Sequence, residues 1–385
     1  MIELQSESNP GEITAQFTCF ICHKGFGNHS SIDDSILYYP SYAGSLDFPM
    51  TDSSFMIDFD QGLGLDSLPN IYQPAVRCPR LFRPKVTPHR ELSLNRKYVL
   101  GNLRNYPRMM LSTSRDGMPP FVHSSYPSQE LSDNSSLPGP LARCAGIVAM
   151  WSVKTKYNCI HIWKAIRSEQ ERLLQEYSEY NDCDTVAALQ AMCIYVILRV
   201  LEKDEDVTDF DMPLIHTILK VGRSVGEPEA RHCKPCSAEN PIPPWESWIL
   251  DESIRRTLFI MVIVMSLFDA SAGVDYKACG CAEYLSGLAL PSTKSMWNSR
   301  TGTEWEQEYM GSPVQSDFGG KPNQVLTFGD LLLQQNNDMD MEYDSDTNSN
   351  LAGGGLMLDQ WLARVDEVGT LVMSAAKFSE ETFYR

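Results

Sequence analysis

Residues 187–201 read AALQAMCIYVILRVL. Only Gln190 and Arg199 interrupt an apolar surface that runs nearly all round a helical wheel, as in a helix enclosed by protein on every side. Asp184 stands where a capping side chain is expected, so the helix is predicted over residues 185 to about 202. Such a helix needs apolar partners. Upstream, Ile162, Trp163, Ile166, Leu173 and Tyr177 recur at helical spacing with Glu and Arg between them, predicting an amphipathic helix that ends near Tyr180. Downstream, a short helix is expected over residues 212–221, followed by a buried one from about 245 to 270. From residue 141 onward the pattern is helical, so the expected fold class is all-α: a multi-helix domain preceded by a largely disordered N-terminal region.

The longest apolar run, 258–265 continued by Leu267 and Phe268, is interrupted by Ser266. It falls short of the roughly 18–20 residues that cross a bilayer, so no membrane partner is expected. The opening MIELQSESNP has neither the basic nor the apolar part of a secretory leader. Eleven scattered cysteines without a dense disulfide framework suit a reducing compartment, cytosol or nucleus. A net charge of −18 argues against a surface that coats nucleic acid or anionic membrane throughout, while leaving room for a local basic patch.

Charge divides the chain. Residues 1–76 form an acidic region: between Lys24 and Arg77 there is no lysine or arginine, while Asp33, Asp34, Asp47, Asp52, Asp58, Asp60 and Asp66 alternate with aromatic and aliphatic side chains. That composition predicts disorder and is typical of activation segments, in which acids keep apolar groups available to a partner; a solvated tail has the same composition. The sign then reverses. Arg77, Arg80, Arg83, Lys85, Arg90, Arg96, Lys97, Arg104 and Arg108 face a single acid, Glu91. This segment, 77–108, opens the helical region 77–335 and is expected to decorate its outside; phosphate contact, tail binding and nuclear import are the functional alternatives. Residues 336–355 are polar and acidic and end near Gly353-Gly354-Gly355, which reads as a linker. A last helix, 356–385, sets Leu358, Trp361, Leu362, Val365, Val368 and Val372 on one face and is expected to pack back on the domain.

Three motifs bear on chemistry. Residues 17–26, FTCFICHKGF, have the Phe-x-Cys-x2-Cys-x3-Phe spacing of the hairpin half of a two-cysteine, two-histidine zinc finger, extending to Ile32. Cys19 and Cys22 are the candidate zinc ligands. Zinc requires four, and Ser35 stands where the first histidine belongs, so the set is incomplete; His23 and His29 do not replace it in standard geometry. Cys233 and Cys236, with Cys279 and Cys281, are a second thiolate set, though free loop cysteines are the default there. Residues 222–226, GRSVG, match a nucleophile elbow. That motif needs a preceding strand and a later histidine, but a helix precedes it and the last histidine is His232. No Walker A, dinucleotide-binding or H-E-x-x-H pattern occurs, and no enzyme is expected.

Longer strings say more. RPKVTPHRELSLNRKYVLGNLRNYPRMM from Arg83, PLARCAGIVAMWSVKTKYN from Pro140, WKAIRSEQERLL from Trp163 and ALQAMCIYVILR from Ala188 begin a series. WESWILDESIRRTLF from Trp245, LPSTKSMWNSRTGTEWEQEY from Leu290, LTFGDLL from Leu326 and LDQWLARVDEVGTLVMSAA from Leu358 complete it. In order and spacing they cover about residues 75–385, and there the sequence resembles the regulatory region of fungal zinc-cluster transcription factors, in particular those with a two-cysteine, two-histidine finger ahead of the cluster. The resemblance implies an α-helical regulatory domain in the nucleus that controls a pathway gene set, such as a secondary-metabolite cluster. The family's DNA reader is a six-cysteine, two-zinc cluster opening Cys-x2-Cys-x6-Cys. Here Cys22 is followed by an acidic stretch and next by Cys78, so no base-reading residue carries over. The function expected is transcription regulation through protein contacts, with the transcription machinery or a related full-length factor as partner. The alternatives are a helical adaptor or co-regulator without DNA contact, and DNA contact through segment 77–108.

Overall fold

The computed structural model describes residues 16–18, 25–27, 80–85, 93–112, 114–125, 137–202, 210–225, 242–269, 285–311, 325–340 and 351–383. They are mostly helical. A short hairpin comes first, β1 (Gln16–Thr18) antiparallel to β2 (Gly25–Gly27), with Phe17 opposite Phe26. The helical domain starts with β3 (Arg83–Pro84) and α1 (Ser93–Met109), then α2 (Gly139–Ser152), α3 (Cys159–Glu176), α4 (Asp182–Leu201) and α5 (Asp211–Ser224). It continues through α6 (Trp245–Leu267), β4 (Phe268–Asp269), α7 (Lys294–Trp297), α8 (Gly302–Met310), α9 (Phe328–Asp340), α10 (Leu351–Leu362) and α11 (Glu367–Phe383).

The helix that the sequence places at the centre is there. Every side chain of α4 from Thr185 to Val200 is buried, and α1, α2, α3, α5 and α6 all pack against it. Each fully buried Leu or Ile on such a helix contributes about 1.5–3 kcal/mol, which is why an all-round apolar sequence selects this position. Among the described residues, α4 is the one helix long and apolar enough to span a bilayer, and 89% of that stretch is buried in protein. The start differs from expectation. Asn181, in extended conformation, is the cap: its side chain accepts from the Asp184 amide at 2.9 Å and donates to the Asp184 carboxylate at 2.9 Å. Asp184 therefore lies in the first turn, where its negative charge opposes the positive end of the helix dipole.

The second long helix, α6, packs on α4 and α11. It ends at Leu267, short of the expected residue 270, because the chain turns extended and pairs with β3: Pro84 lies opposite Phe268 and Arg83 opposite Asp269. The Lys85 amide then donates to the Leu267 carbonyl at 2.9 Å. The helix expected over residues 212–221 extends over α5, 211–224.

The C-terminal region departs further from expectation. Residues 336–340 continue α9, and Gly353, Gly354 and Gly355 lie inside α10. The linker reading thus fails at both ends, and residues 341–350 between them lie outside the described residues. Packing offsets the helix penalty of the glycines, about 1 kcal/mol each: Leu358 and Trp361 are buried, and the Trp361 indole donates to the Pro291 carbonyl at 2.8 Å. The single last helix is in fact two, α10 and α11, joined by a turn whose Asp366 carboxylate accepts from the amides of Val368 at 3.0 Å and Gly369 at 3.1 Å. Of the six side chains expected on one face, Leu358, Trp361, Val368 and Val372 are buried, while Leu362 and Val365 are half-buried against the same core.

Candidate functional site

Several sequence candidates have no described surroundings. β1 and β2 pair as the half-finger reading requires, but Cys19 and Cys22 fall in their connection, outside the described residues, so zinc rests on the sequence pattern alone. Cys233, Cys236, Cys279, Cys281 and the acidic stretch 33–66 also lie outside them. Among the described residues no group of three or more His, Cys, Asp or Glu is arranged to hold a metal ion. Ser224 sits at the end of α5, its hydroxyl donating to the Val221 carbonyl at 2.8 Å, so the strand-to-turn geometry of a nucleophile elbow is not formed. Cys144 and Cys193 lie in the core, where burial pushes their thiols up, Cys144 to about 12; neither is poised as a thiolate.

The basic segment has a mixed role. Arg80 closes the end of α4, donating to the carbonyls of Glu202 at 2.6 Å and of Arg199 and Val200 at 3.4 Å. Arg96 does the same for α6, reaching the Lys85 carbonyl at 2.7 Å and the Leu267 carbonyl at 3.5 Å. Helix ends leave carbonyls without intrahelical partners, and these guanidinium groups satisfy them. Arg83, Lys97, Arg104 and Arg108 are exposed. Lys97, Arg104 and Arg108 stand seven and eleven positions apart on α1 and share one face. The expectation that the whole segment decorates the exterior thus holds for these four and fails for Arg80 and Arg96.

Among the described residues, a buried knot of charges surrounds Arg256. Its Nε donates to Glu252 at 2.8 Å, one Nη to the Pro120 carbonyl at 3.1 Å and to Asp366, and the other to the Ser292 carbonyl at 3.1 Å. Its face lies 4.0 Å from the centroid of the Trp297 ring. Glu252 also accepts from Arg255 and from the Ser292 amide at 2.8 Å. The neighbouring arginines outweigh burial and hold the Glu252 carboxyl below its usual range. With these groups engaged by one another, the knot joins α6, the loop after α1, the loop before α7 and the start of α11. Its role is structural.

Among the described residues, one surface gathers four exposed apolar side chains close in sequence. At the corner between α2 and α3, Tyr157 is 81% exposed, Val153 67%, Ile160 60% and Met150 43%. The corner is braced from within. Asn158 accepts from the Thr155 amide at 2.6 Å and donates to the Val153 carbonyl at 3.1 Å, and the Thr155 hydroxyl accepts from the Tyr157 amide at 3.3 Å. Lys154 pairs with Glu202 and lies 4.2 Å over the Trp151 ring, which packs edge-on against buried Trp163. Exposed Lys156 and Lys164 flank the apolar groups. The sequence reading missed this corner, because it followed the side chains that share the buried face of α3, and Ile160 and Tyr157 lie off that face. The signal was apolar Ile160 and Tyr157 standing out of phase with Ile162, Trp163 and Ile166. A fixed apolar patch with a charged rim is suited to protein contact and not to bond-making chemistry.

No family model matches the chain, and neither a curated protein nor a solved structure does.

Proposed function

We propose that this chain is a regulator of transcription, acting in the nucleus on a pathway gene set through protein contacts of its helical domain. The α2–α3 corner is the observation that carries the reading. Residues 140–158, one of the strings behind the family resemblance, include Met150, Val153 and Tyr157, whose exposure no requirement of the core explains. Two further strings, from Ala188 and Trp245, form the centre of the described domain in α4 and α6. The partner is a protein segment, from a related full-length factor or the transcription machinery, bearing apolar side chains among acids. Apolar groups meet Val153, Tyr157 and Ile160, and acids meet Lys156 and Lys164.

The test joins the whole chain to an unrelated sequence-specific DNA-binding domain and measures a reporter in cells. The expected result is a change in output that falls at least about tenfold in the Val153→Ser/Ile160→Ser variant at equal protein level, a loss of about 1.4 kcal/mol of contact energy. A chain that stays cytoplasmic and leaves the reporter unchanged overturns the proposal.

A second reading is favoured by the exposed Lys97, Arg104 and Arg108 face of α1: direct, sequence-independent contact with DNA phosphates. Its mark is binding that weakens steeply with salt, with a logarithmic slope near −0.9 per phosphate contacted. Lys97→Gln/Arg104→Gln should flatten that slope. Binding that ignores salt eliminates this reading.

A further inference from the structure

We infer that the chain binds a small oxyanion, a carboxylate or phosphate group, inside the domain where α3, α4 and α5 meet, with Arg199 and Trp163 as its donors. Arg199 and Asp211 are both fully buried. The Arg199 Nε donates to Asp211, whose other oxygen accepts from the Leu81 amide at 2.9 Å. Burial raises the Asp211 carboxyl from its ordinary value, and the charge of Arg199 opposes that rise. Both Nη atoms of Arg199 are buried without a hydrogen-bond partner, and so is Nε1 of Trp163. The Arg199 guanidinium carbon lies 6.0 Å from the centroid of the Trp163 ring.

All three orphan atoms are donors. Two Nη groups and one indole N–H present five hydrogens, and an arginine cannot shed its charge to relieve the deficit. Leaving buried donors of a charged group unmet is among the costlier defects a core can hold. What satisfies them must consist of acceptors. The outer edge of a guanidinium matches two oxygens of a planar carboxylate or of a phosphate in a two-pronged contact. The Trp163 ring lies 6.0 Å from the guanidinium carbon, and the inference assigns its N–H to the same small group. The nearby rings of Trp151, 5.1 Å from Trp163, and Phe210, 6.0 Å from it, provide an apolar wall against which such a contact gains strength. This inference does not depend on the role proposed above. A regulator of transcription could use the ligand as a signal, and a chain with another role would bind it equally.

The experiment uses the whole chain, with sodium acetate and inorganic phosphate as probes and sodium chloride matching ionic strength. Thermal unfolding and titration calorimetry are the readouts. At least one probe should raise Tm above the chloride control, the rise following the logarithm of concentration beyond Kd. Trp163→Phe keeps the ring, loses the N–H and should weaken binding about tenfold. Because Arg199→Met alone strands Asp211 and can unfold the chain, the second variant replaces both members of the pair, Arg199→Met/Asp211→Leu, which preserves volume and should fold. It should show no probe-dependent shift. Equal shifts in wild type and double variant, or a wild-type Tm that only follows ionic strength, overturn the inference.

Discussion

The carbonyl oxygen of Trp297 accepts a hydrogen bond from Nε2 of buried His123 at 2.9 Å, while Nδ1 of the same ring accepts from the Ser125 amide at 3.0 Å. The two contacts fix one neutral tautomer. Burial, reinforced by the charge of Arg256, brings the imidazole down from 6.5 to about 4. In the unfolded chain the ring takes up a proton near 6.5; in the folded one it resists to about 4. Stability from this site is therefore complete above pH 6.5 and is lost as the pH falls toward 4. The full effect is about 3 kcal/mol. Urea midpoints taken across that window should decline more steeply for wild type than for His123→Gln. Because the Glu252 carboxyl lies below its usual 4.5, its own loss comes at lower pH. Parallel curves for wild type and variant would count against the assignment.

Removing the guanidinium of Arg256 leaves Asp366 short of a buried partner and Glu252 short of one of its two arginines. Arg256→Met should cost about 3–5 kcal/mol in urea unfolding, as when one member of a buried pair is deleted. Arg300→Met, which breaks the exposed pair with Asp116 at 2.8 Å, should change stability by less than about 1 kcal/mol. Similar costs for the two variants would contradict the burial described for the knot.

Two residues compete for the start of α4, and the geometry separates them. Asn181→Ala should destabilise the protein by about 1 kcal/mol, the usual value of a lost cap. Asp184→Ala should cost less, through the helix dipole and the exposed bond from Asn181, about 0.3–1 kcal/mol. A reversed order would restore the assignment that sequence pattern favours.

Because α10 is docked on the core, its indole contact has a measurable value. Trp361→Phe keeps most of the ring, loses the bond to Pro291 and leaves that carbonyl unmet. The expected loss is about 1 kcal/mol of stability, accompanied by faster amide exchange in residues 356–362. A neutral substitution would mean that this helix does not bear on the core.

The α2–α3 corner should behave in the opposite way. Val153→Ser and Ile160→Ser remove exposed apolar groups, and each should leave the unfolding midpoint within about 0.5 kcal/mol of wild type. A large destabilisation by either would mean that the corner serves the core.

The central helix was legible because an apolar surface all round, as in AALQAMCIYVILRVL, asks for enclosure on every side, and α3 was legible because its apolar side chains keep strict spacing. The errors have physical causes. Asn181 and Asp184 are both good caps, three residues apart, and only backbone conformation chooses between them. The end of α6 is set by pairing with Arg83 and Pro84, nearly two hundred positions earlier, which no local pattern contains. Three glycines suggested a linker because intrinsic propensity cannot weigh the packing of Leu358 and Trp361. Charge counting could not tell Arg80 and Arg96, which close helix ends, from Arg104 and Arg108, which meet water. The exposed corner and the buried Arg199 share a cause: each differs from its neighbours only in what surrounds it.

The contact between Arg256 and Asp366 also bears on how the protein is made. In the quartet Glu252, Arg255, Arg256 and Asp366, positive and negative charges balance only once the last member has been synthesised. A growing chain that has completed α6 but not yet reached Asp366 carries one cation too many in the position that becomes the interior. A chain stopped before residue 366 would leave that interior position with an unbalanced positive charge, and it should be less stable than one that carries Asp366.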